Sequence, residues 1–473
     1  MKRTLFLALF LTGFCAEGLA WADLAVGFGK ADITPDVQKK AVWIAGYGHG
    51  RKATGVHDPL WTRAVVLEDG DRKIAMVAVD LVGLQRPTVQ DIRAKLPDFQ
   101  HVMVSSTHNH EGPDVIGLWG PAPTMTGVDP EYIALVVQRV VEAVRQAETS
   151  LKPARVEYGT ADGTEIVDDS RKPVAKDGIM RILRFSSPGQ NQATTPPLGI
   201  LVQWNCHPES LGSKNTMITA DFLHATVQQL EQTYHCPVAY FSGAIGGLMS
   251  NPGTWKLPDG RVVADGNFEY ADAYGKDVAN LAVKALGTLE PIELTPFVVS
   301  TRPVALKLEN PVFKLMRAGG VMDRDGFAWT GDPYKTGEKL PSRSTKGEIA
   351  IESEVSYLRL GQLHVAAIPG ELYPELVYGQ FQEPADAGAD FPDAALETPV
   401  VKILPGPKWL LFGLAADEVG YIIPRRQWDE KPPFAYGRPK AQYGEINSVG
   451  PNAAATLMNA FADCVKAAPP AKP

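Results

Sequence analysis

Short apolar runs separated by turn residues recur along the chain, and three of them end on residue types that ligate metals. Residues 73–84 form one such run. Residues 99–104 form a second, which reads as a buried strand emerging at Thr107. It leads into Ser105-Ser106-Thr107-His108-Asn109-His110-Glu111-Gly112-Pro113. Side chains two apart on a strand share a face, so His108 and His110 are expected in one pocket with Asn109 turned away. Gly112-Pro113 then stops the strand. Residues 198–204 are continuously apolar and deliver Asn205-Cys206-His207-Pro208. Residues 363–368 form another strand and deliver Pro369-Gly370-Glu371.

The remaining pattern alternates strands and helices as far as about residue 290. Residues 24–28 read as a strand, followed by a loop, Gly29-Lys30-Ala31-Asp32-Ile33-Thr34-Pro35. Residues 64–68 and 73–84 pair as a hairpin, and Asp80 inside the second run is either paired in the core or near a site. Helices are expected over residues 87–96, 130–148, 221–234 and 268–289. In the second of these, Ile133, Val136, Val137, Val140, Val141 and Val144 fall at helical spacing. Strands are expected over residues 155–160, 180–185 and 237–241, with an exposed Ser/Pro/Gln-rich loop over 186–197. From residue 293 the chain is richer in strands, with a helix over 372–381 and a closing helix over 447–468. Residues 317–346, rich in Gly, Asp and Lys, read as a surface excursion or lid. The predicted fold is α/β, with mixed β-sheets packed with helices and a metal site at the C-terminal ends of strands.

The composition, 45% hydrophobic and 21% charged over 473 residues, is that of a globular protein. Lys2 and Arg3, the apolar residues 5–14, and Ala20-Trp21-Ala22 read as a secretory signal cleaved after Ala22, which predicts a secreted or periplasmic protein. The expected organisation is a signal over residues 1–22, one domain over 23–468 and a tail over 469–473. Removing the signal takes away two positive charges and one negative, so the formal net charge moves from -8 to -9. No basic stripe remains, which argues against nucleic acid as a partner. Cys206, Cys236 and Cys464 allow one bridge and one free thiol, but not a disulfide framework.

Two imidazoles on one face at a strand end make half of a metal site or a hydrogen-bonded polar pair. Spacing leaves Arg171 as an oxygen-binding cation or a solvated surface residue. The small-residue loop over 242–252 could hold a nucleophile or an oxyanion, or could be a tight connection. Gly46-Tyr47-Gly48-His49-Gly50 is a flexible turn that could let backbone approach a ligand.

Four motifs in order carry a more specific signal. Gly29-Lys30-Ala31-Asp32-Ile33-Thr34-Pro35, Thr107-His108-Asn109-His110-Glu111-Gly112-Pro113, Pro369-Gly370-Glu371 and Gly420-Tyr421-Ile422 together resemble the catalytic N-terminal domain of the neutral, non-lysosomal ceramidase family. The resemblance implies Zn2+ held by His108, His207, Glu371 and Tyr421, a hard nitrogen/oxygen donor set. It implies hydrolysis of the amide bond of an N-acyl, ceramide-like substrate by metal-activated water. His110 matches the family's second active-site histidine, and Tyr443 a late tyrosine near its site. Arg171 matches an arginine that stabilises substrate oxygen. The family's active-site serine loop departs here to Gly246-Gly247-Leu248-Met249-Ser250-Asn251-Pro252. Met249 takes the serine's place without a gap, and Ser250 takes it with a one-residue insertion. No counterpart of the family's C-terminal immunoglobulin-like domain is expected. A different amide or ester substrate, or a catalytically inactive binding protein of the same fold, are the alternatives. A lipid substrate leaves peripheral contact with a membrane surface open.

Overall fold

In the computed structural model, which describes residues 24–189 and 195–469, buried strands form three mixed sheets. The expected signal over residues 1–22, Ala22 included, and residues 470–473 of the expected tail lie outside the described residues. So does the middle of the predicted 186–197 loop, which joins two antiparallel strands, Ile179–Ser186 and Gly199–Trp204.

Strand side chains alternate between two cores. Along Arg72–Val79, Ile74, Met76 and Ala78 enter an inner cluster, while Ala75, Val77 and Val79 enter a larger outer one. Leu183, Phe185, Leu201, Phe241, Leu358, Val365, Leu410 and Phe412 join the inner cluster, so all three sheets contribute to it. Helices cover the outer faces. Pro130–Thr149 starts at Asp129, whose side chain accepts from the Glu131 amide, and buries Val136, Val137, Val140 and Val144. It lies against Leu24–Asp32 so closely that a Cβ on Gly27 would meet the Ala147 carbonyl oxygen at 1.9 Å.

Each sheet contains one parallel pair: Arg72–Val79 with His101–Ser106, Gly199–Trp204 with Val238–Ser242, and Leu363–Ala367 with Trp409–Phe412. Parallel strands need crossover connections, so their ends point the same way and their exits gather at one end of the molecule. That is where the candidate site lies.

Several expectations change. The first strand runs on through Asp32, because Lys30, Ala31 and Asp32 pair with Arg63, Thr62 and Trp61; the expected loop begins after it. Asp80 is a core ion pair, accepting from Arg63 at 2.8 Å and from the Trp61 amide. The helix expected over residues 372–381 is only Pro374–Tyr378, ended by Gly379 at φ 76. The closing helix is Ala453–Ala467, because Gly450 at φ 151 and Pro451 precede its start. Residues 317–346 are not wholly a surface excursion. Arg317, Met322 and Arg324 are buried, and Arg324 forms an ion pair with Asp417. Cys206, Cys236 and Cys464 are all free and buried. No helix among the described residues is long and apolar enough to cross a membrane.

Candidate metal centre

The strand His101–Ser106 ends two residues before His108, whose backbone is left-handed at φ 66. The two histidines meet, as expected, but through a turn and not through strand alternation; their rings are 4.8 Å apart. Asn109 holds that turn from behind. Its Nδ2 donates to the Thr219 carbonyl at 2.8 Å, and its Oδ1 accepts from the Glu111 amide at 3.1 Å. His207 leaves Gly199–Trp204 and brings its ring within 4.9 Å of His108 and 5.8 Å of His110. Ligating atoms of the three buried imidazoles all lie within 4.8 Å of one another.

Glu371 and Tyr421 arrive together, because they are register partners in a two-residue parallel pairing. Gly370 at φ 91 and Gly420 at φ 79 permit the approach; a Cβ on Gly370 would lie 2.5 Å from the Gly420 oxygen. Glu371 Oε2 stands 2.9 Å from His207 Nε2 and 3.5 Å from His108 Nε2, and the Tyr421 side chain hydrogen-bonds Glu371.

This donor set fits a metal ion. Nδ1 of His108 lies 2.6 Å from the Val82 carbonyl oxygen, and Nδ1 of His207 lies 2.7 Å from that of Met249. Nδ1 therefore carries a proton in each ring, and wherever a ring is neutral its Nε2 lone pair is aimed at the shared point. Both ring nitrogens of buried His110 lack a hydrogen-bond partner, an orphaning that a bound ligand would relieve. The electrostatics agree with a centre short of positive charge. Burial, followed by the attraction of His108 and the His207 hydrogen bond, acts on Glu371, and the net effect holds it below the usual carboxylate range. Burial lowers His108 to about 4, with Glu371 opposing. Burial also pulls His110 well down, helped by His108, His207 and Arg51. Burial opposes protonation of His207 too, but its bond to Glu371 and the nearby Glu209 raise it to about 9. Tyr421 is pushed well up by burial and by Glu371.

The other candidate residues stand further out. Tyr443 lines the cavity beside the centre, its ring 5.9 Å from that of Tyr421. Arg171 sits behind the site. Its guanidinium makes two bonds to Glu445, at 2.7 and 2.9 Å, and also donates to the Tyr443 and Gln427 carbonyls. It fixes the backbone of Tyr443, and neither a solvated nor a substrate-facing position describes it. Ser250 donates to Glu209 Oε1 at 2.7 Å, so it reaches the centre through that carboxylate. Met249, at the serine position of a gapless match, is buried and supplies the carbonyl that orients His207.

Two residues were missed in the sequence. Glu209 Oε2 accepts from Tyr47 Oη at 3.3 Å and lies 3.7 Å from His110 Nδ1. The glycine-rich turn was the available signal: a Cβ on Gly46 would meet the His110 ring at 2.4 Å, so the turn packs on the imidazole itself.

Three mixed sheets that gather imidazoles, a carboxylate and a tyrosine at one buried point define an α/β protein with a candidate metal centre. Residues 24–251 match the family model described as neutral/alkaline non-lysosomal ceramidase, N-terminal. The neutral ceramidase of Pseudomonas aeruginosa is 29% identical over 147 residues, covering 29% of this chain and 22% of the relative. That of Drosophila pseudoobscura pseudoobscura is 26% identical over 264 residues, covering 50% of this chain and 36% of the relative. The matches thus span well under half of the length of these relatives. The crystal structure of the Pseudomonas aeruginosa neutral ceramidase superposes with a TM-score of 0.67 at 17% identity, covering 94% of this chain and 74% of that one. A ceramidase complexed with C2 superposes at 0.66 and 16% identity, covering 94% and 75%. At these identities the superpositions show a common fold.

Proposed function

We propose that the chain is an exported zinc-dependent hydrolase of the amide bond in an N-acyl, ceramide-like substrate. The observation that carries this reading is the convergence of His108 Nε2 and His207 Nε2 on Glu371 Oε2, with Tyr421 bonded to the same carboxylate. The family match over residues 24–251 and the names of the relatives support the choice of bond. His108, His207, Glu371 and Tyr421 would hold the ion. When bound, zinc supplies the positive charge that polarises a carbonyl and acidifies water.

The chain's own residues do the rest. The two backbone carbonyls on Nδ1 hold His108 and His207 in one orientation. His110, neutral and without a hydrogen-bond partner, is the group free to take a proton from the attacking water and pass it to the leaving amine. Glu209 and Tyr47 stand on its far side and limit how its ring turns. Tyr443 borders the substrate space, and Arg171 keeps it there. Ser250 acts by holding Glu209.

Elemental analysis of the purified protein beside His207→Ala tests the centre. About one zinc per chain in the wild type and much less in the variant is the expected result. No zinc in either, after zinc has been supplied, would sink the reading. A panel of amides and esters then tests the bond, with faster cleavage of amides expected.

A further inference from the structure

The turn that leads into Tyr421 runs against local backbone preference. Leu414 and Ala416 are left-handed, at φ 47 and φ 66, and neither is a glycine. Such backbone persists where the surrounding structure holds it. Asp417, the next residue, is buried with 0% exposure and receives the holding bonds. Its Oδ1 accepts from the Arg86 amide at 2.9 Å, the Glu418 amide at 2.9 Å and Arg324 Nη1 at 2.7 Å. Its Oδ2 accepts from Arg324 Nη2. Arg324 also donates to the carbonyls of Glu418 and Glu352, at 3.2 and 2.9 Å. Arg324 lines the cavity beside the centre, but protein acceptors occupy both of its terminal nitrogens.

Asp417 thereby joins three segments. The first is its own turn. Glu418 Oε1 accepts from the Gly420 amide at 2.6 Å, and the Gly420 carbonyl accepts from the Glu371 amide at 3.0 Å, just before Tyr421. The second is residues 82–86. The Arg86 amide anchors it, and a Cβ on Gly83 would meet Glu418 Cγ at 2.7 Å, so the two segments are in close contact. Val82 of that segment supplies the carbonyl that orients His108. The third is residues 317–346, which deliver Arg324; Arg317 secures it by donating to its carbonyl at 2.9 Å. His207 is oriented from elsewhere, by the carbonyl of Met249, which is paired with Asp169.

Resting on the zinc reading above, we propose that Asp417 and Arg324 are positioning residues of the metal centre. Their buried ion pair holds Tyr421 and Glu371 on one side and the Val82 carbonyl behind His108 on the other. Partners outside the ligand set commonly change metal affinity by about 10–100-fold when they are removed.

The test compares Asp417→Asn with the wild type. Asparagine keeps an acceptor for the Arg86 and Glu418 amides but turns a donor toward the guanidinium. Zinc affinity, measured by competition with a chelator, is expected to fall about 10–100-fold. A second readout needs no metal: hydrogen exchange at the Nδ1–H of His108 and of His207, followed by NMR of the histidine-labelled apoprotein. Exchange at His108 is expected to quicken at least tenfold relative to His207, because its carbonyl partner lies in a segment that Asp417 anchors. Leu457→Ala truncates a buried residue of the closing helix and lowers stability without touching the pair. It is expected to leave the affinity and the exchange ratio as in the wild type. Arg324→Lys keeps the charge and is expected to shift both readouts in the same direction by less, so it carries the test if Asp417→Asn does not fold. Unchanged zinc affinity, or equal quickening at both histidines, in the folded variants would overturn the proposal and leave the pair as a support of the fold alone. If the wild type takes up no zinc, the zinc reading fails, and the exchange ratio decides the positioning role by the same comparison.

Discussion

Arg171 and Glu445 form a bidentate pair with almost no exposure, 1% and 4% for their side chains. Removing one member of such a pair leaves the other charged and buried, at a cost of about 3–5 kcal/mol. Arg171→Ala should therefore lower stability in denaturant titrations by about that much, and under folding conditions the variant should bind supplied zinc as the wild type does. A variant of unchanged stability that lost only activity would make the guanidinium a substrate contact instead. The sequence could show that an arginine stands in this loop, but not that its partner lies 274 positions away. The histidines were legible for the opposite reason: each follows an apolar run closely, so local pattern places it at a strand exit. Glu209 was not legible, because its role depends on Ser250, Tyr47 and His110, which three separate segments bring to it.

At the scale of elements, periodicity located the buried strands, because continuous apolar runs of strand length leave few alternatives. It did not locate where they stop. The first strand extends through polar Lys30 and Asp32 because its neighbour supplies register partners, a tertiary effect absent from local pattern. Gly370 and Gly420 lie at the tight junction where Glu371 and Tyr421 pair. Gly370→Ala would combine a left-handed backbone with a collision against the Gly420 oxygen, and the conformational strain alone costs about 1–3 kcal/mol. The pairing should loosen and Glu371 should withdraw. Zinc affinity is expected to fall at least tenfold while the helical circular dichroism stays near the wild type. Gly347→Ala is the control, since its φ of 71 is also positive but a Cβ there meets open space. Equal zinc affinity in both variants would show that strain at position 370 is absorbed away from the centre.

The molecule buries several carboxyl groups, and their titration bears on its stability. Burial raises Glu375 to about 7, with the Gln427 hydrogen bond opposing, and raises Asp169 and Asp221 to about 6. In the unfolded chain such groups ionise near their ordinary values of about 4. Between those values the folded state binds more protons than the unfolded one, so these groups lower stability as pH rises. Their favourable contribution is complete below about pH 4 and is lost as pH climbs through the folded values. Other titrations overlap in the total, and Glu375→Gln isolates one of them. Glutamine keeps the shape, and its carbonyl can still accept from Gln427, but it never ionises. The variant should gain stability over the wild type progressively between pH 4.5 and about 7.5. With a shift from 4.5 to about 7, the gain approaches a value on the order of 3 kcal/mol. Urea titrations of both proteins at several pH values measure this difference directly. A constant difference across the range would mean that Glu375 ionises as freely in the folded protein as in the unfolded chain, and that the interior around Glu375 is wetter than its packing indicates.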